Sequence, residues 1–334
     1  MTSPHFPAVW SVLAADALAE QVLPRYALDC AATCEFFKSG LNDTYRVRDR
    51  SASYYLRVYV HGWRELHDIE AEVELLNHLH AHRLSVSHPI ATRDGDYILP
   101  LRACEGIRYA VLFSRARGRM SEETDHRSYV YGRLAGQIHV CADRLPHTLE
   151  RFHIDHELLL DSPLRAVQRL LAHRPRDYDY LSDIAGQLKA RVDELLPKEL
   201  PEYGICHGDL NRTNVHFRDD DTPTVFDFDC FGYGWRAYDL AVFGWQAGDF
   251  GWSKAAKANR TRRWNLFLKG YEECRALSAD EHAAAKIFPP IRQIWNMGLY
   301  ATKSARMGHD GRVDETFDWS IQSIRTWIDY YSVL

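Results

Sequence analysis

No apolar run in the sequence approaches the roughly 20 residues that a bilayer-spanning helix needs; stretches such as YAVLF at 109–113 are far shorter. That excludes a membrane helix. Positive charge is not in excess either, since 41 Lys and Arg stand against 46 Asp and Glu for a net charge of -5, so the broad basic footprint of a nucleic-acid binder is missing. The apolar N-terminal stretch has no Lys or Arg before Arg25 and is interrupted by Asp16 and Glu20. It reads as an N-terminal helix rather than an export signal. Seven cysteines form an odd, scattered set, unlike the dense even frameworks of small secreted domains, and a reducing cytoplasm fits them best. Cys30 and Cys34 have no second Cys/His pair at finger-like spacing, so they are expected to be free buried thiols rather than metal ligands. Also absent are any G-x-G-x-x-G, any internal repeat, and any lysine between Lys38 and Lys189.

What is present suits a chain of two lobes, because 334 residues provide for two domains or one large two-lobed one. TCEFFKSG and TYRVRDR read as a strand pair around the turn SGLND, and SYYLRVYV as a third strand rich in aromatic and β-branched residues. From Glu65 to His82, Ile69, Val73, Leu76 and Leu79 recur at helical spacing, which predicts one amphipathic helix. DYILPL and RYAVLFS add two strands before RARGR (115–119), where a glycine among charges marks a connector. The expected division is a β-rich lobe over 1–114, a hinge over 115–119 and a mainly helical lobe over 120–334.

Inside the helical part lies one exception. HGDLNRTNVHF (207–217), followed by VFDFDCFGYG (225–234), reads as a loop closed by two short strands around the turn RDDDTP. Asp209 and Asn214 precede one strand, Asp227 and Asp229 end the other, and a hairpin would bring all four to one centre. Carboxylates and an amide oxygen are hard donors suited to Mg²⁺ shared with substrate phosphates. A carboxylate outside the metal shell can take the proton of an attacking hydroxyl, which is what phosphoryl transfer from a nucleotide requires.

HGDLNRTN resembles the catalytic loop H-x-D-x-x-x-x-N of kinases, in the H-G-D form of aminoglycoside phosphotransferases and choline kinases, and VFDFDCFGYGWRAYDLA resembles that family's metal-binding strand and the helix start after it. The resemblance covers most of the chain and implies an α+β, two-lobed protein-kinase-like fold using Mg²⁺ and ATP. It makes Asp209 the catalytic base, Asn214 and Asp227 metal ligands with Asp229 assisting, and Asp239 and His207 organisers of the loop. Kinases hold the nucleotide α- and β-phosphates with a strand lysine paired to a helix glutamate. The lysine-free stretch leaves Arg57 in YYLRVYV for that position, and EVELLNHL picks Glu72 as its partner over Glu70 and Glu74. Only Gly40 stands in the turn that would cover the phosphates, and adenine is expected against YAVLFS and RARGR.

The implied activity is Mg·ATP-dependent phosphorylation of a small-molecule hydroxyl, on an aminoglycoside, an amino sugar or an amino alcohol such as homoserine. A protein Ser/Thr kinase of the same fold and a non-catalytic nucleotide-binding module remain alternatives. For a homoserine-like acceptor, Arg292 offers a carboxylate partner and Asp249 an ammonium partner. The aromatics of VFGWQAGDFGW (242–252) and IRQIWNMGLY (291–300) read as core more readily than as binding surface.

Overall fold

A computed structural model of the protein describes residues 6–247, 252–307 and 313–334. Its first part is a five-stranded antiparallel sheet in the order β1-β2-β3-β5-β4, from β1 (Thr33–Ser39), β2 (Asn42–Arg48), β3 (Ser53–Tyr59), β4 (Leu99–Ala103) and β5 (Gly106–Ser114). Side chains alternate across β3, so Leu56 and Val58 join one apolar cluster while Tyr59 joins another, and Arg57 shares the face of Tyr59.

The first cluster is closed by α1 (Ala15–Gln21) and the turn after it, through Leu18, Val22, Leu23 and Tyr26. The single N-terminal helix expected from the sequence therefore shrinks to seven residues. Residues before it take their backbone partners from the sheet instead, since Arg108 donates to the Ser11 carbonyl at 2.8 Å and Tyr45 to the Leu13 carbonyl at 2.7 Å.

On the other face lies α2 (Leu66–Ala81), started by a capping box in which Glu65 and Asp68 each accept the other's backbone N–H. Ile69, Val73, Leu76 and Leu79 are all buried, as their spacing predicts, and they enter a large core shared with the helical part.

A connector after Ser114 leads to α3 (Asp125–Ala142), capped by Thr124. Then come β6 (His153–Ile154), a π-helical turn over Glu157–Asp161, α4 (Ser162–Gln168) and α5 (Pro175–Leu195). β7 (Tyr203–Cys206) delivers the chain to the motif loop, and β8 (Val215–Phe217) pairs antiparallel with β9 (Pro223–Val225) as the sequence predicts. β10 (Gly232–Trp235) lies between β6 and β7 in a second small sheet, and α6 (Arg236–Gln246), α7 (Lys254–Glu272), α8 (Ala279–Met307) and α9 (Val313–Tyr331) complete the chain.

All seven cysteines are free, yet Cys30 and Cys104 are exposed, so burial was wrong for Cys30. Among the described residues no helix is long and apolar enough to cross a membrane.

Candidate active site

Leaving β7, the chain turns at Gly208, whose φ is +78° and where a Cβ would lie 2.0 Å from the Cys230 carbonyl oxygen, so only glycine fits. Buried Asp239 on α6 holds this turn by accepting from the backbone N–H of His207 at 2.6 Å and of Gly208 at 2.8 Å. Desolvation would raise the Asp239 pKa, but bonds from His139 and from Gly208 keep it below the usual carboxylate value. His207 sets the loop further: its Nε2 donates to the Phe226 carbonyl at 3.1 Å, which leaves Nδ1 to accept from the Asp209 backbone N–H at 3.2 Å.

This brings Asp209 to Asn214. The Asn214 amide nitrogen donates to the Asp209 carbonyl at 2.9 Å and to its Oδ2 at 2.8 Å. Both amide hydrogens are thereby used, and the amide oxygen remains as the side chain's acceptor.

Asp227 ends the hairpin in the left-handed region, at φ 68° and ψ 59°, a conformation that costs energy in a non-glycine residue and clusters at functional sites. Its Oδ1 accepts from Arg57 at 2.7 Å, and the same guanidinium donates to Glu72 at 2.7 Å. Tyr59 donates to the other Glu72 oxygen at 2.7 Å, so Glu72 is fully engaged at 1% exposure. Glu70 and Glu74 are exposed. Desolvation would lower the Arg57 pKa, but Glu72, Tyr59 and Asp227 hold it well above the arginine value. The Asp227 carboxyl is raised, by desolvation against the cleft walls with Arg57 opposing; 46% of its side chain nevertheless faces the cleft, and water there moderates the rise.

Asp229 departs from the expectation. Residue 227 turns the chain through the left-handed region, and the 229 side chain meets Trp63, which donates to Oδ2 at 2.8 Å, and Arg64, whose Nε donates to Oδ1 at 3.3 Å. Arg64 and Arg151 also donate to its backbone carbonyl, at 2.8 and 2.5 Å. Desolvation would raise Asp229, but Arg64 and Arg57 bring its pKa down to about 2. Asp209, Asn214 and Asp227 thus share one centre with Arg57 and Glu72, while Asp229 bolts that centre to the chain entering α2.

Arg292 is also placed differently from the expectation, which had it bind an acceptor carboxylate. It donates to Asp209 Oδ1 at 2.5 Å, to Tyr238 at 2.7 Å and to the Gly208 carbonyl at 3.1 Å, and it stacks on Trp295 at 4.1 Å. Its other proposed companion, Asp249, lies outside the described residues. The sequence reading missed Trp63 and Arg64 as site-building residues, and the density of aromatic and cationic residues in HGWRE is the one signal that could have pointed to them.

Two cavities flank the centre. One, of about 450 Å³, is lined by Lys38, Arg57, Phe113, Met120, Asn214 and Asp227, among others, and so joins the strand and connector expected for adenine to the candidate metal donors. The other, of about 230 Å³, reaches Gly208 and Cys230 from beneath Trp63, Phe152 and Trp295. Asp209 bonds Asn214 in the wall of the first and follows Gly208 in the wall of the second. The Asn214 amide oxygen and the Asp227 carboxylate form an all-oxygen donor set beside the first cavity, which fits a hard divalent cation.

An uncharacterised protein of Deinococcus radiodurans is 36% identical over 96% of this chain and 92% of its own length. A homoserine kinase of Paramagnetospirillum magneticum is 28% identical over 82% of each chain. Among solved structures, the amicoumacin kinase hAmiN, in complex with AMP-PNP, Ca²⁺ and Ami, superposes with a TM-score of 0.75 at 18% identity, covering 93% of both chains, which is likeness of the kinase-like fold. The family model APH, described as the phosphotransferase enzyme family, matches residues 33–277, from the first strand through the HGD loop to just past α7, and the chain belongs to that family.

Proposed function

We propose that this phosphotransferase moves the γ-phosphoryl group of Mg·ATP to a hydroxyl of a small molecule. The observation that carries the reading is the Asn214 amide spending both hydrogens on Asp209, which fixes a carboxylate beside one cavity and leaves an oxygen donor facing the other with Asp227. Asn214 and Asp227 would hold Mg²⁺, which supplies charge neutralisation on the phosphate oxygens. Arg57, set by Glu72, contacts the phosphates, and Asp209 takes the hydroxyl proton. Asp229 is reassigned from metal ligand to scaffold. The amicoumacin and homoserine kinases among the relatives support a small-molecule acceptor over a protein one.

The test is ADP release from Mg·ATP with and without candidate acceptors, in wild type and Asp209→Asn. The substitution keeps size but removes basicity and one of the two acceptors that face Arg292 and Asn214, so acceptor-dependent kcat should fall about 10²–10⁴-fold with ATP affinity retained. Equal loss of nucleotide binding would make Asp209 a structural residue.

A further inference from the structure

The 230 Å³ cavity beside Gly208 has walls of Trp63, Phe152, Leu158, Pro163, Trp295 and Leu299, with polar edges at Ser162, Tyr238 and Thr302. Arg64 is the charged side chain on its lining among the described residues, and that guanidinium is spent on Asp229. The Cys230 thiol in its wall, pushed up to about 12 by burial, is a neutral group. Two carboxylates stand close to this cavity, and each already has a cation: Asp209 pairs with Arg292 and Asp229 with Arg64.

An acceptor with ammonium groups must surrender their hydration on entering, and burying a charge without a partner is costly. Among the described residues this lining holds no carboxylate to compensate it, and the aromatic faces that could attract a cation already carry guanidinium groups: Arg64 over Trp63, Arg151 over Phe152 and Arg292 over Trp295. Three aromatic rings and the aliphatic walls reward instead the removal of apolar surface from water, at about 25 cal/mol per Å². We infer that the acceptor is an uncharged alcohol with an apolar or aromatic body, a statement of substrate class that rests on the phosphotransferase reading above.

In the step this implies, the acceptor oxygen forms a bond to the γ-phosphorus. The bond from that phosphorus to the β–γ bridging oxygen breaks and its electron pair leaves with ADP. The hydroxyl proton passes to Asp209. Trp63 and Trp295 orient the acceptor body, and Arg292 positions the carboxylate that receives the proton.

The experiment compares three soluble probes at millimolar concentration with the full chain and Mg·ATP: 2-phenylethanol as the neutral aryl alkanol, ethanolamine as the single cation, and kanamycin as the polycation. ADP release should respond most to 2-phenylethanol. Thr302→Glu places a carboxylate at an exposed point on the cavity wall, and Leu299→Glu does so at a half-buried one. Either should lower kcat/KM for 2-phenylethanol about tenfold or more and raise it for ethanolamine, as expected for a change of one or two kcal/mol in pocket affinity. The inference is overturned if kanamycin or ethanolamine is the better acceptor in wild type. It is equally overturned if 2-phenylethanol neither stimulates ADP release nor binds calorimetrically while Mg·ATP still raises Tm. If Mg·ATP itself leaves Tm unmoved, the phosphotransferase reading fails and takes this one with it.

Discussion

Arg57 carries two carboxylates on one fork, Glu72 and Asp227, each at 2.7 Å. A lysine presents a point charge on a flexible stem and cannot reproduce that bidentate geometry. Arg57→Met should therefore raise KM for ATP and lower kcat, and Arg57→Lys should recover part of the loss; steady-state kinetics over ATP concentration measure both. Unchanged ATP kinetics in Arg57→Met would move the phosphate contact to another cation such as Lys38 on the same cavity wall. Asp229 makes a different prediction, about pH. Its folded pKa, about 2, is depressed below the usual carboxylate value, so its contribution to stability is present above the unfolded value and lost as pH falls through the folded one. A difference near two units corresponds to roughly 2 kcal/mol. Asp229→Asn should cost about 2–4 kcal/mol near neutrality, because it also leaves Arg64 short of its partner, and the gap from wild type in urea unfolding should narrow between about pH 4 and pH 2. A gap independent of pH would mean that the ion pair is not its source.

At the scale of elements, the closest packing in the helical part joins α3 to α7. A Cβ on Gly132 would sit 1.9 Å from the Phe267 carbonyl oxygen, and one on Gly270 2.0 Å from that of Tyr129, so the two backbones touch through reciprocal glycines. That contact also sets the route to the loop at His207 and Gly208, since Tyr271 of α7 bonds His139 of α3 at 2.7 Å and His139 bonds Asp239, which holds that loop, at 3.0 Å. Gly270→Ala should force the helices apart and cost about 1–3 kcal/mol or more, together with a fall in kcat. Gly186 in α5 meets nothing within 4 Å, so Gly186→Ala should instead stabilise by about 0.5–1 kcal/mol. Chemical denaturation of the two variants side by side separates a packing effect from helix propensity. Equal effects of the two substitutions would refute the close-contact account.

For the whole molecule, the apolar core does not respect the chain connector. Ile69, Leu76 and Leu79 of α2 lie in the same cluster as Leu134 of α3 and Phe231 beside the motif, whereas α1 and the outer face of the sheet form a separate one. Glu72 is therefore anchored to the helical core and Arg57 to the sheet, and a nucleotide bound in the cavity that both line would tie sheet to core. Mg·ATP at about 100 times its Kd should add about 2.7 kcal/mol of stability by mass action, seen as a rise in Tm, with a smaller rise when Mg²⁺ is omitted. Absence of any rise at saturating nucleotide would refute nucleotide binding.

The sequence by itself determined the local elements and the clustering of Asp209, Asn214 and Asp227. The turn SGLND marks β1 and β2, the aromatic and β-branched run SYYLRVYV marks β3, the spacing of Ile69, Val73, Leu76 and Leu79 specifies α2, and the short spacing from Asp209 to Asn214, with the hairpin to Asp227, brings those side chains together through local chain geometry. Glu72 was legible too, through the resemblance of EVELLNHL to the family's helix pattern, and it is buried against Arg57. Tertiary structure alone decided which neighbouring carboxylate faces the cleft, what holds Asp209, and how the N-terminal segment runs. Asp229 finds Trp63 across 166 residues and Asp209 finds Arg292 across 83, and pairs so distant leave no periodicity in the chain. They are chosen by where packed elements deliver a buried charge that must be neutralised, and that requirement exists only once the fold has excluded water.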